Sequence, residues 1–190
     1  MAISQGVGVS LATGVRTLLP PLLVGALASA DVGVDFEGTD YAFLESFAWL
    51  AALVMLIAAV TFAERRHMVV PVQLLVGAAI VIGALQFAGS LADERYTAGA
   101  GLAAGAVCAA IGFFAARAFF GRAAIRARAG GEEEAATLVE LFAQAAALVL
   151  AALAVLVSPV IWVAFAFALW VLLVQRRRGA QKYEGLRILR

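Results

Sequence analysis

The sequence predicts an all-α membrane protein, a polytopic helical bundle of about six hydrophobic segments. Three observations carry this reading. Hydrophobic residues make up 64% of the 190 positions and charged residues 14%, whereas a soluble domain is roughly half apolar and a quarter charged. The mean hydropathy is +0.98, more apolar surface than a soluble fold of this size can hide. The net charge of only +1 conceals a segregation of basic and acidic residues into separate linkers that flank apolar runs. A disordered chain is excluded by the same composition. The single cysteine, Cys108, excludes a disulfide scaffold. A nucleic-acid partner would call for a basic face on a soluble domain, so none is expected, and membrane lipids are the expected surroundings.

A bilayer-crossing helix needs about 20 mostly apolar residues. Segment one runs from Gly6 to Ala30 and contains Arg16 and Pro20-Pro21. Two adjacent prolines remove two backbone donors and clash with the preceding turn, so a break is expected there at membrane depth. Ala28-Ser29-Ala30 has the form of a signal-peptide cleavage site. Upstream of it, however, the stretch starts without Lys or Arg and is interrupted by Arg16 and the prolines, so removal is not expected. Segments two, three and four are Phe43–Ala63, Val69–Ala92 and Thr97–Phe120. The last apolar region, Ala135–Val174, is too long for one crossing. Ser158-Pro159 divides it into segments five and six, because proline suits the start of a helix. The whole chain, 1–190, reads as one membrane domain with a short tail from about residue 175.

The linkers give the orientation. Asp31, Asp35, Glu37 and Asp40 follow segment one without a Lys or Arg, and Asp93, Glu94 and Arg95 follow segment three. Arg65-Arg66, the group Arg117, Arg122, Arg126 and Arg128, and the tail residues Arg176, Arg177, Arg178, Lys182, Arg187 and Arg190 all fall on the other side. Basic residues mark the cytoplasmic face. With six crossings, both termini are expected in the cytoplasm of a cell-membrane protein. Were segment one to dip in and out, the N-terminus would lie outside.

Arg16 is the residue singled out for function, because an intramembrane arginine costs at least about 2.5–3.5 kcal/mol to insert. Ser10, Thr13 and Thr17 share one helical face beside it. The half-helix after the prolines would aim its N-terminus, with its partial positive charge, into the membrane interior. Arg16, Ser10, Thr13 and Thr17 therefore form a candidate anion site of the kind that broken transporter helices build. Glu140 and Gln144, one turn apart in segment five, complete the candidate set, Glu140 as a titrating group or as counter-ion to Arg16, or else as an interfacial glutamate favoured by the nearby helix N-terminus. The alternative is a kinked helix whose Arg16 is sealed against Glu140. Gln73 and Gln86 lie about 140° apart on a helix and are expected to bond neighbouring helices. The four arginines after segment four are a topology signal in contact with anionic lipid head groups. Gly101-x-x-x-Gly105 is a close-packing signal, within the bundle or in a homo-oligomer.

Catalytic signatures were not found. His67 is the only histidine, so no histidine cluster can hold a metal, and neither a nucleophile elbow nor a phosphate loop is present. No enzyme activity and no cofactor are expected.

Residues 8–25, Gly-x-x-Leu-Ala-Thr-Gly-Val-Arg-Thr-Leu-Leu-Pro-Pro-Leu-Leu-Val-Gly, resemble the opening of domain of unknown function 4126, a family of small bacterial integral membrane proteins. Thr137-Leu-Val-Glu140 with the following Ala/Leu stretch and Pro159 is similar to its C-terminal half, and Lys182 to Arg187 is similar to its ending. The chain has Glu64-Arg65-Arg66-His67 where many members carry an Asp-Lys-x-Pro-Gly-Val-Asp-like loop. The resemblance implies a helical membrane protein and no particular activity. The leading functional expectation is transport or flipping of a small anionic solute or lipid head group. The other is a non-catalytic membrane scaffold.

Overall fold

The computed structural model describes residues 1–66, 71–93 and 98–187, without the side chains at positions 64, 65, 93, 98 and 178–187. His67, Glu94 and Arg95, and the side chains of the Lys182–Arg187 ending, lie outside the described residues.

Every regular element among the described residues is helical. In chain order these are α1 (Ala2–Val15), α2 (Leu19–Ala28), α3 (Phe47–Arg65), α4 (Val72–Asp93), α5 (Ala98–Ala116), α6 (Arg122–Ala129), α7 (Glu133–Leu156) and α8 (Ile161–Arg187). A π turn, Arg117–Gly121, joins α5 to α6, and short 3₁₀ turns precede α3 and α8. Four helices are long and apolar enough to cross a membrane: Val72–Ala92, the combined Gly99–Ala129, Glu133–Leu156 and Ser158–Arg177. The apolar part of α3, Phe47–Ala63, is shorter. The division at Ser158-Pro159 is as expected, with Pro159 in the 3₁₀ turn that opens α8.

Segment one departs from the expectation. The helix does break, but upstream of the prolines. α1 ends at Val15, Arg16 adopts an extended backbone (φ −141°, ψ 117°), and Pro20-Pro21 occupy the first turn of α2. There their missing N–H groups cost no helical bond. The chain also reverses at the break. Gln5, near the start of α1, donates from Nε2 to the carbonyl of Gly33, five residues beyond α2 (2.9 Å), and reaches the Val155 carbonyl (3.4 Å). Arg16, at the other end of α1, contacts Glu140, fifteen residues earlier on α7. Segment one is thus a helical hairpin, α1 and α2 running back to back. At 1.5 Å per residue α1 is about 21 Å long, so its tip falls short of spanning a core about 30 Å thick.

The expected six crossings are not confirmed, four helices being long and apolar enough to span a membrane. The start of α1, the acidic loop 31–41 and the end of α7 share one end of the bundle. The tip of the hairpin and the arginines of α6 and α8 lie toward the other, where α8 finishes.

α1 is the centre of the molecule. It packs on α4, α5, α7 and α8, and every residue from Gly6 to Gly14 is buried. A helix apolar all round belongs in a core, and α1 fits there because its neighbours meet glycines. A methyl group on Gly6 would run into Phe87 of α4, one on Gly8 into Ala154 and Ile161, and one on Gly14 into the Ala109 carbonyl of α5. Gly101 and Gly105 are used in the same way, against Ala88 and Gly83 of α4. That face is taken up inside the bundle, so a homo-oligomer would need another surface than the expected Gly101/Gly105 one. The acidic loop folds back over its end of the bundle: Phe36 is 1% exposed and packs at Gly89, while its N–H donates to Glu45 Oε2 (3.2 Å). α3 is peripheral. It packs mainly on α2 and the preceding 3₁₀ turn and leaves Val54, Met55, Leu56 and Phe62 exposed.

Candidate functional site

The six candidate residues divide into three groups. Ser10 and Thr13 are sealed in the core, both 0% exposed. Ser10 Oγ donates to the Gly83 carbonyl (2.7 Å). Thr13 Oγ1 lies 2.9 Å from the Val9 carbonyl and 2.8 Å from the side-chain amide of Gln86. One hydroxyl carries one proton. Both contacts are hydrogen bonds when Thr13 donates to Val9 and Gln86 presents its NH₂ to Thr13, an amide orientation chosen by the network. Ser10 and Thr13 thus fasten α1 to α4 and do not face an open site. Gln86 bonds a neighbouring helix as expected, whereas Gln73 is exposed.

Arg16, Thr17 and Gln144 come together. They line a cavity of about 190 Å³ with Thr61 of α3, Leu75 of α4 and Phe113 of α5. Arg16 is partly buried, and its Nη2 donates to the backbone carbonyl of Glu140 (3.3 Å). Thr17 Oγ1 is 3.4 Å from the Leu75 carbonyl. Arg16 has no carboxylate partner among the described residues. A carbonyl holds the guanidinium in place without neutralising it, and the other donors of its fork remain available to a ligand.

Glu140 stands apart from this cavity in its side chain. Its carboxylate faces away from Arg16 and pairs with Arg128 (2.5 Å), both partners being well exposed. An exposed pair of this kind contributes about 0–1 kcal/mol. The expectation that Glu140 serves as counter-ion to Arg16 is therefore not met: the contact is made by its backbone. The helix N-terminus is also a weaker donor than expected. Pro20 and Pro21 occupy two of the four positions whose N–H groups are free at the start of a helix, and proline has none. The positive charge at the hairpin tip is that of Arg16.

Thr61 was not among the sequence candidates. It lies in segment two, and its place beside Arg16 depends on α3 running back along α2, which no local signal announces. Comparison of the chain with protein families, with curated proteins and with solved structures finds no match in any of the three. The fold and the geometry of the Arg16 cavity therefore carry the functional argument, and the class they define is a helical bundle compatible with an integral membrane protein.

Proposed function

We propose that this chain is an integral membrane protein that binds a small anion at Arg16 and moves it across the bilayer. The observation that carries the reading is an arginine at the tip of a helical hairpin, lining a cavity, with no carboxylate partner among the described residues. A charge kept inside an apolar bundle at an insertion cost of a few kcal/mol is a functional charge by default. The cavity volume of about 190 Å³ corresponds to about six waters. This suits a small inorganic anion with part of its hydration shell better than a lipid head group. It also favours transport over the scaffold alternative, which needs no charged cavity. Membership of the family that residues 8–25 resemble is part of the proposal and brings no activity with it.

The test is flux of inorganic phosphate and of chloride into liposomes containing the purified protein. Arg16→Lys is expected to reduce flux or affinity by about tenfold or more although the charge is kept, since the planar fork is lost. Flux of neither anion by the wild type, or an Arg16→Lys variant indistinguishable from it, would overturn the reading.

The orientation follows from charge. With α3 counted as a crossing, five helices pass the membrane. The arginine end faces the cytoplasm, and the N-terminus and the acidic loop face outward. In a Cys108→Ala background, cysteines at Ile3 and Glu37 are expected to react with an impermeant thiol reagent from outside, and one at Arg177 only from inside. Reaction of the Ile3 and Arg177 positions from the same side would refute the hairpin topology.

A further inference from the structure

A second, larger cavity than that at Arg16 lies at the arginine end and measures about 830 Å³. Arg117 of the π turn, Arg122 and Arg128 of α6 and Arg176 of α8 line it, together with Glu140. Five residues along an α-helix turn through about 500°, which would leave Arg117 and Arg122 about 140° out of line. The π turn between them, closed by i→i+5 bonds, takes more residues per revolution and swings Arg122 back toward the face of Arg117. Such turns are frequent at functional sites, and this one gathers two guanidinium groups at one opening. Glu140 is the only acid in the lining and is engaged by Arg128. Arg117, Arg122 and Arg176 have no carboxylate partner among the described residues, so the cavity carries a net excess of three positive charges.

Its shape says more about the ligand than its charge does. A volume of this size suits an organic molecule and exceeds what a free inorganic ion needs. Apolar side chains, among them Phe114, Phe120, Ile125 and Leu172, form part of the wall. Through Phe120 the cavity adjoins a second, almost wholly apolar cleft of about 200 Å³ between α5, α7 and α8, floored by Leu11 and Val15 of α1. A basic chamber beside an apolar slot matches a molecule with an anionic head and a hydrocarbon chain.

We propose that this chamber is a binding site for an anionic phospholipid, with the phosphate held by Arg117, Arg122, Arg128 and Arg176 and an acyl chain in the adjoining cleft. The site is separate from the Arg16 cavity, and its occupancy does not depend on the anion reading. Guanidinium groups bind phosphate oxygens in bidentate fashion.

The test uses the full-length protein in detergent, with phosphatidic acid, phosphatidylcholine of the same acyl chains, and glycerol 3-phosphate as probes, and native mass spectrometry as the measure of binding. Retention of phosphatidic acid in preference to the other two is expected. The double variant Arg117→Gln with Arg122→Gln is expected to weaken phosphatidic acid binding by about tenfold or more, each basic residue near a membrane surface being worth about 1 kcal/mol. The control Arg126→Gln with Arg177→Gln removes the same charge from outside the chamber and is expected to change binding by less than about twofold. Equal loss in the two double variants would reduce the chamber to diffuse surface charge. Glycerol 3-phosphate binding as tightly as the lipid would assign the chamber to a soluble phosphate ester, and equal retention of phosphatidylcholine would remove the phosphate-specific reading. Should the chamber variant fail to fold, the three probes on the wild type still decide between these outcomes.

Discussion

Gly14→Leu is expected to abolish the folded protein, and Gly14→Ala to lower its stability by about 3 kcal/mol. In an exposed helix interior, glycine to alanine gains about 1 kcal/mol, so the sign at Gly14 is decided by packing. A Cβ there would fall on the carbonyl of Ala109, and one on the facing Gly112 would fall on the carbonyl of Leu11. The obstacle on each side is backbone of a packed helix and cannot be relieved by a rotamer change. Overpacking in such a place costs about 1–3 kcal/mol and occasionally more. α1 also touches four other helices, so a displacement from α5 disturbs its contacts with α4 and α7. Gly77, in α4 with open space around it, supplies the control: Gly77→Ala should be neutral or stabilising. Thermal melts in detergent, followed by size-exclusion chromatography, measure all three. Equal melting temperatures for Gly14→Ala and the wild type would contradict the central placement of α1.

Arg16→Leu is expected to abolish anion binding while leaving the bundle folded, and its melting temperature unchanged or raised. The substitution removes a partly buried charge that is costly in an apolar surrounding. It strands no acid, because the carboxylate of Glu140 keeps its partner Arg128. The Glu140 carbonyl that receives the Arg16 bond survives any change of the Glu140 side chain. Arg16→Leu and Glu140→Leu should therefore be additive in stability to within about 0.5 kcal/mol, as independent sites are. A sealed ion pair would behave differently. Each single change would then cost several kcal/mol by leaving a buried charge alone, and the double change would restore stability. Rescue in the double variant would defeat the open-cavity description of Arg16.

The class of the protein and the break in segment one were legible because they rest on composition and on two prolines, both local signals. The direction of the chain after the break was not. Residues 6–30 contain enough apolar length for a crossing, and hydropathy counts residues without regard to the turn at Arg16. The partner that reveals the hairpin, Gln5 with Gly33, is a contact between two polar groups that nothing in the local pattern links. Arg16, singled out as an unusual charge, lies at a cavity wall, whereas Ser10 and Thr13, expected beside it at one site, are sealed in the core. Their helical spacing fits a ligand-facing stripe as well as a fastening to α4, and the choice depends on Gly83 and Gln86, 73 residues away. For Glu140 the reading as an interfacial glutamate agrees with its exposed pair with Arg128, a partner that its sequence distance from Arg16 said nothing about. The gathering of Arg117 and Arg122 at the chamber depends on a π turn, which an α-helical wheel cannot show.

The burial of α1 by later helices sets an order of assembly. α1 precedes its neighbours in the chain: α4, α5, α7 and α8 begin between residues 72 and 161. At about 5–20 residues per second, the last of them emerges about 7–30 seconds after α1 is complete. Through that interval Ser10 and Arg16 lack the carbonyls of Gly83 and Glu140 that receive their hydrogen bonds, whereas Thr13 already has that of Val9. The packing of α1 is therefore complete only once α7 and α8 have been made.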